Sequence, residues 1–263
     1  MPFDQDDLPR IEFPRNPLKM VVAQLRFPPE MALAQPETMT AIQAGLRDRY
    51  PIALGRESRL EVEIVAGPGD APQVSPSVLT PGPLRFADEQ NEWIASVATD
   101  ALSLETKIYH NGEEFKARWA ELVTAFLNIV TPTRVDRFGV RYINQLAHTD
   151  ARSVEDWSRF LDTELMGSIA SPVLSSRVVR ASDQAWLAVG IDGGSIRRVY
   201  SQNPAGVTPS SVIVLDFDLF SAEPFPFGIE EIGARFDRYH KWAWNLFRRS
   251  ITDEMVSALG EAE

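Results

Sequence analysis

Residues 135–146 read VDRFGVRYINQL, and the fold turns on how this stretch is read. Phe138, Val140, Tyr142 and Leu146 fall on one side of a period-two alternation, and Arg137, Gly139, Arg141 and Ile143 on the other. Such a pattern belongs to a β-strand buried on one face. At ~3.4 Å per residue the two arginines stand roughly 13 Å apart, and Gly139 leaves a gap between them. Asn144 adds a polar group near the end of the stretch. VIVLDFDLF (212–220) has the same form, with Ile213, Leu215, Phe217 and Leu219 on one side and Asp216 and Asp218 on the other.

If these two strands are neighbours, the arginines and aspartates share one surface. Two chemistries are then open. One is cross-strand ion pairing on a solvated sheet face, worth ~0.2–1 kcal/mol per pair. The other is a polar groove for a ligand, with arginine as a bidentate donor to an anion. The candidate ligand-binding residues are Arg137, Arg141, Asn144, Asp216 and Asp218.

Outward from this core, residues 1–17 carry four prolines and predict an extended arm. Two units follow, 18–132 and 133–263, each read as β-α-β-β-β-α. In the first, KMVVAQLRF (19–27) alternates as a strand, and ETMTAIQAGLRDRY (37–50) has helix spacing at Met39, Ile42 and Leu46. RLEVEIVAG (59–67) reads as a strand, and 67–83, with eight glycines or prolines, as a loop. PLRFADEQNEWIASVATDALSLETK (83–107) reads as two strands. A helix then starts at an Asn111 cap and buries Phe115, Trp119, Leu122, Phe126 and Ile129.

In the second unit, 153–165 predicts a helix with a capping box at Ser153 and Asp156. Strands are expected at 173–182, 185–192 and 210–220, with a hairpin turn at GIDGGS (190–195) and looped chain over 193–210. A long helix places Ile229, Ile232, Phe236, Tyr239, Ala243, Leu246 and Ser250 on its apolar stripe. Thr252 caps a last short helix ending at Gly260. The expected fold is α+β: a curved antiparallel sheet with helices on one face, like a TATA-binding-protein saddle or a helix grip. Trp242 and Trp244 cannot both lie on the long helix's stripe, which marks them as candidate interaction residues for a partner or a second copy.

The 263 residues carry 26 Lys+Arg against 37 Asp+Glu, a net charge of -11. That balance repels a phosphate backbone, so a broad nucleic-acid footprint is not expected. The chain holds no cysteine, which removes thiolate chemistry and zinc–thiolate sites. The sequence starts with an acidic, proline-rich stretch rather than a basic and apolar signal, and no apolar run approaches the ~20 residues of a membrane span. A cytoplasmic protein is expected, with no membrane contact.

His110, His148 and His240 lack ligand spacing, and no cofactor-binding motif is present. LDFD could hold Mg²⁺ through Asp216 and Asp218, but no phosphate-binding loop accompanies it. RFDRYHKWAWNLFRRS (235–250) is basic and aromatic, yet its aromatic residues mostly occupy the buried stripe.

NPLKMVVAQLRF, LSLETKIY, RFGVRYINQL, VIVLDFDLF and YHKWAWNLFRRSITDEMVSALG, in this order, resemble a sporadically distributed family of uncharacterised bacterial proteins of similar length. GVRYIN is the most specific piece. Asn16 is followed by Pro17 and Leu18, where a common form of the family has two prolines. The resemblance implies one complete protein and brings no established activity. Its sporadic distribution implies an accessory component of a defence or mobile-element gene cluster. The expected function is therefore non-catalytic binding of a partner protein or a small anionic ligand on the polar sheet face, with self-association open. The alternatives are a metal-assisted hydrolase or phosphoryl-transfer enzyme using Asp216 and Asp218 with Arg137 and Arg141, and a nucleic-acid-binding saddle.

Overall fold

A computed structural model describes residues 3–5, 7–56, 63–65, 73–75, 82–163, 166–167, 173, 177–203 and 210–260. The first part of the chain forms β1 (Leu18–Arg26), α1 (Pro36–Leu46), β2 (Ile52–Arg56), β3 (Glu63–Val65), β4 (Gln73–Ser75), β5 (Leu84–Ala87), β6 (Trp93–Val97), β7 (Ala101–Thr106) and α2 (Gly112–Leu127). The second forms β8 (Arg134–Val135), β9 (Arg137–Ala147), α3 (Val154–Trp157), β10 (Arg180–Val189), β11 (Asp192–Asn203), β12 (Ser210–Ser221), β13 (Phe225–Pro226), α4 (Ile229–Ser250) and α5 (Asp253–Leu259).

Nine strands make one sheet in the order β10-β11-β12-β9-β1-β7-β6-β5-β2, antiparallel throughout. The fold is α+β. β1 and β9 pair at the centre, so the sheet runs unbroken across the expected boundary at 132/133. From β1 the order moves outward through β7, and from β9 through β12. β9 therefore neighbours β12, which makes the two decisive stretches adjacent.

Helices cover the face on which the central strands are apolar. Val21, Ala23 and Leu25 of β1 and Phe138, Val140, Tyr142 and Leu146 of β9 are all buried. Phe138 stacks on Trp119 of α2 and Tyr239 of α4, and the two helices meet through the parallel rings of Phe115 and Phe236, 5.7 Å apart. Each such buried side chain contributes about 1.5–3 kcal/mol of burial. The helix starts match the sequence: Asn111 accepts from the Glu114 N–H, Ser153 and Asp156 form a reciprocal box, and Thr252 accepts from Met255. Among the described residues no helix is long and apolar enough to cross a membrane.

Several boundaries differ from the sequence pattern. β10 and β11 form one hairpin, so 193–203, part of the 193–210 stretch expected as looped chain, belongs to a twelve-residue strand, Asp192–Asn203. Its turn is Gly190–Ile191, not the following glycines. A Cβ at Gly193 would stand 2.8 Å from the Phe220 ring, and one at Gly194 2.8 Å from Leu219. These glycines serve close packing inside a strand, a use indistinguishable from a turn in sequence. The expected 153–165 helix stops at Trp157 because Phe160–Asp162 turn to pair with Ser250–Thr252. Residues 83–107 hold three strands, the extra turn lying at 98–100. Of the 59–67 strand, 63–65 pairs with β4 in a separate ladder and the rest lies outside the described residues, as do most of the 67–83 loop and residues 174–176 of the 173–182 strand.

Candidate functional site

On the face opposite the helices, β9 and β12 set Arg141 across from Asp218, Ile143 across from Asp216, and Gly139 across from Phe220. The arginines reach diagonally. Arg141 donates from Nε and Nη2 to the two oxygens of Asp216 at 2.7 and 2.5 Å, a bidentate fork. Arg137 donates from Nη2 to Asp218 at 2.8 Å. Hydrogen bonding to Asp216 raises the Arg141 pKa above its ordinary value. Burial raises the Asp218 carboxyl above the usual range, against the pull of Arg137 and Arg141.

The pairs are not equal. The Asp216 side chain is 8% exposed and that of Arg141 44%, so Asp216 relies on its fork, whereas Arg137 and Asp218 each keep part of the side chain in water. Arg141→Ala is expected to destabilise the protein by about 1–3 kcal/mol, because it strands a buried carboxylate. Arg137→Ala is expected to stay within ~1 kcal/mol. Urea unfolding of the two variants checks this ordering.

Beyond the ion pairs lies a packed layer of side chains that the sequence pattern did not single out. A Cβ at Gly139 would meet Arg137 Nη1 at 2.7 Å, so the glycine lets Arg137 lie down along the strand. Its guanidinium sits 4.4 Å from the centre of the Phe220 ring. Phe220 in turn lies over Gly193 and meets Trp186 of β10 edge-on, 6.3 Å away. Trp186 is 72% exposed. On β11, Arg197 stands opposite Asp216 and is exposed; among the described residues it forms no ion pair. Alternation along β12 reaches Phe220 two residues past Asp218, which was a readable signal. Nothing local ties Trp186 to it.

Asn144 does not join this group. It shares the parity of Phe138, Val140 and Tyr142, so it faces the helix layer, is buried, and donates to the Leu215 carbonyl at 3.4 Å. Trp242 and Trp244 are also elsewhere. The surface they pack against is the chain's own arm: their indole N–H groups donate to the carbonyls of Asp4 and Leu8, and Asn245 donates to that of Phe3. Phe3 packs on Trp242 and Phe13 on Trp244.

Two polar clusters in the helix layer were not anticipated. Asp192, 1% exposed at its side chain, accepts from Arg235, Arg238 and Tyr239. His240 sits against the N-terminus of α2, where a Cβ at Gly112 would meet its Nε2 at 2.4 Å. Its Nδ1 is 2.9 Å from the Tyr142 hydroxyl. Burial, helped by Arg10, pushes the His240 pKa down to about 3. Among the described residues no group of three His, Asp or Glu side chains is placed to hold a metal ion.

No family model matches this chain, and no curated protein sequence matches it.

Proposed function

We propose that this protein is a non-catalytic binding component that holds a partner polypeptide on the open face of β9, β12, β11 and β10. The observation that carries the reading is Trp186: a tryptophan 72% exposed, backed by Phe220 and, behind it, Arg137 on the open sheet face. Tryptophan and arginine are the side chains most enriched among residues that dominate binding energy. Gly139 and Gly193 leave room for Arg137 and Phe220 to pack down on the strands, and side chains already packed lose less entropy on docking. A small anionic ligand is the second reading, supported by Arg197, which is exposed and forms no ion pair among the described residues. A metal-assisted reaction has less support, since both oxygens of Asp216 are occupied by Arg141 and a cation would have to displace the guanidinium. A nucleic-acid saddle works against the net charge of -11.

Trp186→Ala is expected to weaken partner retention roughly 30-fold, as loss of a hot-spot side chain does, while leaving the melting temperature unchanged. Tagged wild-type and variant proteins purified from native cells give the comparison. Equal retention of the same polypeptide by both would overturn the reading.

A further inference from the structure

We infer that β10 is the edge through which two copies of this chain pair, antiparallel and about a two-fold axis. The inference concerns a backbone edge, whereas the reading above concerns side chains on a face. β10 ends the sheet. Gly190, at φ 62, opens a two-residue turn that joins it to β11, the glycine-first form of hairpin turn. Val189 and Asp192 are then the hydrogen-bonded closing pair. Alternation from that pair directs the N–H and C=O groups of Ser182, Gln184, Trp186 and Ala188 away from β11. Among the described residues no backbone hydrogen bond reaches them.

Folded proteins guard such edges with proline, lysine, bulges or short strands. The opposite edge, β2, is guarded in this way: it has five residues, a register shift between Ala53 and Gly55, and Gly55 at φ 79. β10 runs ten residues in unbroken register without proline or lysine. Val179, Trp186 and Ile191, on or beside it, are 55%, 72% and 57% exposed. An edge left long and regular, with a tryptophan exposed on it, while its counterpart is short and bulged is an edge built to be covered.

A second copy is the occupant that fits. From Gln184 to Val189 the strand carries no charge, Asp183 is already paired with Arg198, and a two-fold axis at Ala185 sets the exposed Arg180 opposite Gly190 of the other copy rather than opposite a like charge. Two chains of net charge -11 can therefore meet here without opposing unpaired charges. With Asp183 paired on its own chain, Arg180 is the one charge the strand leaves over, which gives a foreign strand little charge pattern by which to be selected. Pairing β10 with β2 of another copy would meet the bulge and propagate without closing, whereas β10 with β10 closes as a dimer. With the axis at Ala185, Trp186 of one copy faces Gln184 of the other, and the outward groups of all four residues find partners.

Sedimentation velocity on the full chain tests this. Wild type is expected to form a particle of twice the 29.4 kDa chain mass. The Gln184 N–H points outward, so Gln184→Pro removes an intermolecular donor and leaves the β11 ladder intact. It is expected to weaken association at least roughly tenfold, with the melting temperature of the dilute, dissociated protein unchanged. If Gln184→Pro melts early, Ala188→Lys decides, since its side chain is exposed and places a guard on the same edge. A wild type that stays monomeric at about 100 μM, or a dimer that survives the deciding substitution, overturns the inference. Loss of partner retention in Trp186→Ala leaves it standing.

Discussion

Asp192→Ala is expected to destabilise the protein by about 3–5 kcal/mol, the range for removing one partner of a buried ion pair. Asp192 follows the tight β10–β11 turn, and its carboxylate fastens that hairpin to α4. It accepts from Arg235 Nη1 and Arg238 Nη1 at 2.8 Å each and from the Tyr239 hydroxyl at 2.7 Å. Arg238 can turn to water, being 38% exposed, but Arg235 is 7% exposed and lies over the Phe225 ring. Without Asp192 its remaining partner is Glu231, half in solvent. A cost of this size is a large share of the ~5–15 kcal/mol that holds a typical domain folded. Asp192→Asn keeps an acceptor and should lose less. Urea unfolding decides: a cost below about 1 kcal/mol for the alanine variant would mean that the cluster is solvated and fastens nothing.

The second large effect depends on pH. His240 has its pKa pushed down to about 3, first by burial and then by Arg10, whereas an unfolded histidine titrates near 6.5. The folded state therefore holds His240 neutral where the unfolded chain takes up a proton. Above pH ~6.5 both states are neutral and the residue adds no pH dependence. As pH falls below that value the unfolded state gains, so stability is lost with acid. Linkage puts the loss at about 2 kcal/mol between pH 6.5 and 5, continuing until the folded residue protonates. In His240→Gln, where the side chain can still accept from Tyr142, this component should vanish. Stability of both proteins at several pH values gives the comparison, and parallel curves would show that His240 protonates in place.

The face chemistry was legible because period two is strict within a strand. Arg137, Arg141, Asp216 and Asp218 could be assigned to one side, and their strands proved adjacent. Asn144 was open to the same reading: its parity places it with Phe138 and Tyr142, away from the arginines. What sequence could not supply was long-range pairing. Asp192 meets Arg235 across 43 residues, and Phe3 meets Asn245 across 242; no local spacing encodes either contact. Glycine was ambiguous for a physical reason, since Gly190 turns the chain while Gly193 and Gly194 make room for Phe220 and Leu219. The packed layer of Arg137, Phe220 and Trp186 depends on that distinction and on the β11–β12 register. It emerges only when the hairpin is seen as one element.

The most direct test of the open sheet face as a binding surface is site-specific photocrosslinking in native cells. A benzophenone side chain is placed at Gln145, exposed on β9 beside the charged ladder, and in a second protein at Ala234, exposed on α4 in the helix layer. The expected result is an adduct with one defined polypeptide from position 145 that is lost when Trp186→Ala is added, and none from position 234. Adducts from position 234 alone, or adducts from position 145 that persist without Trp186, would contradict it.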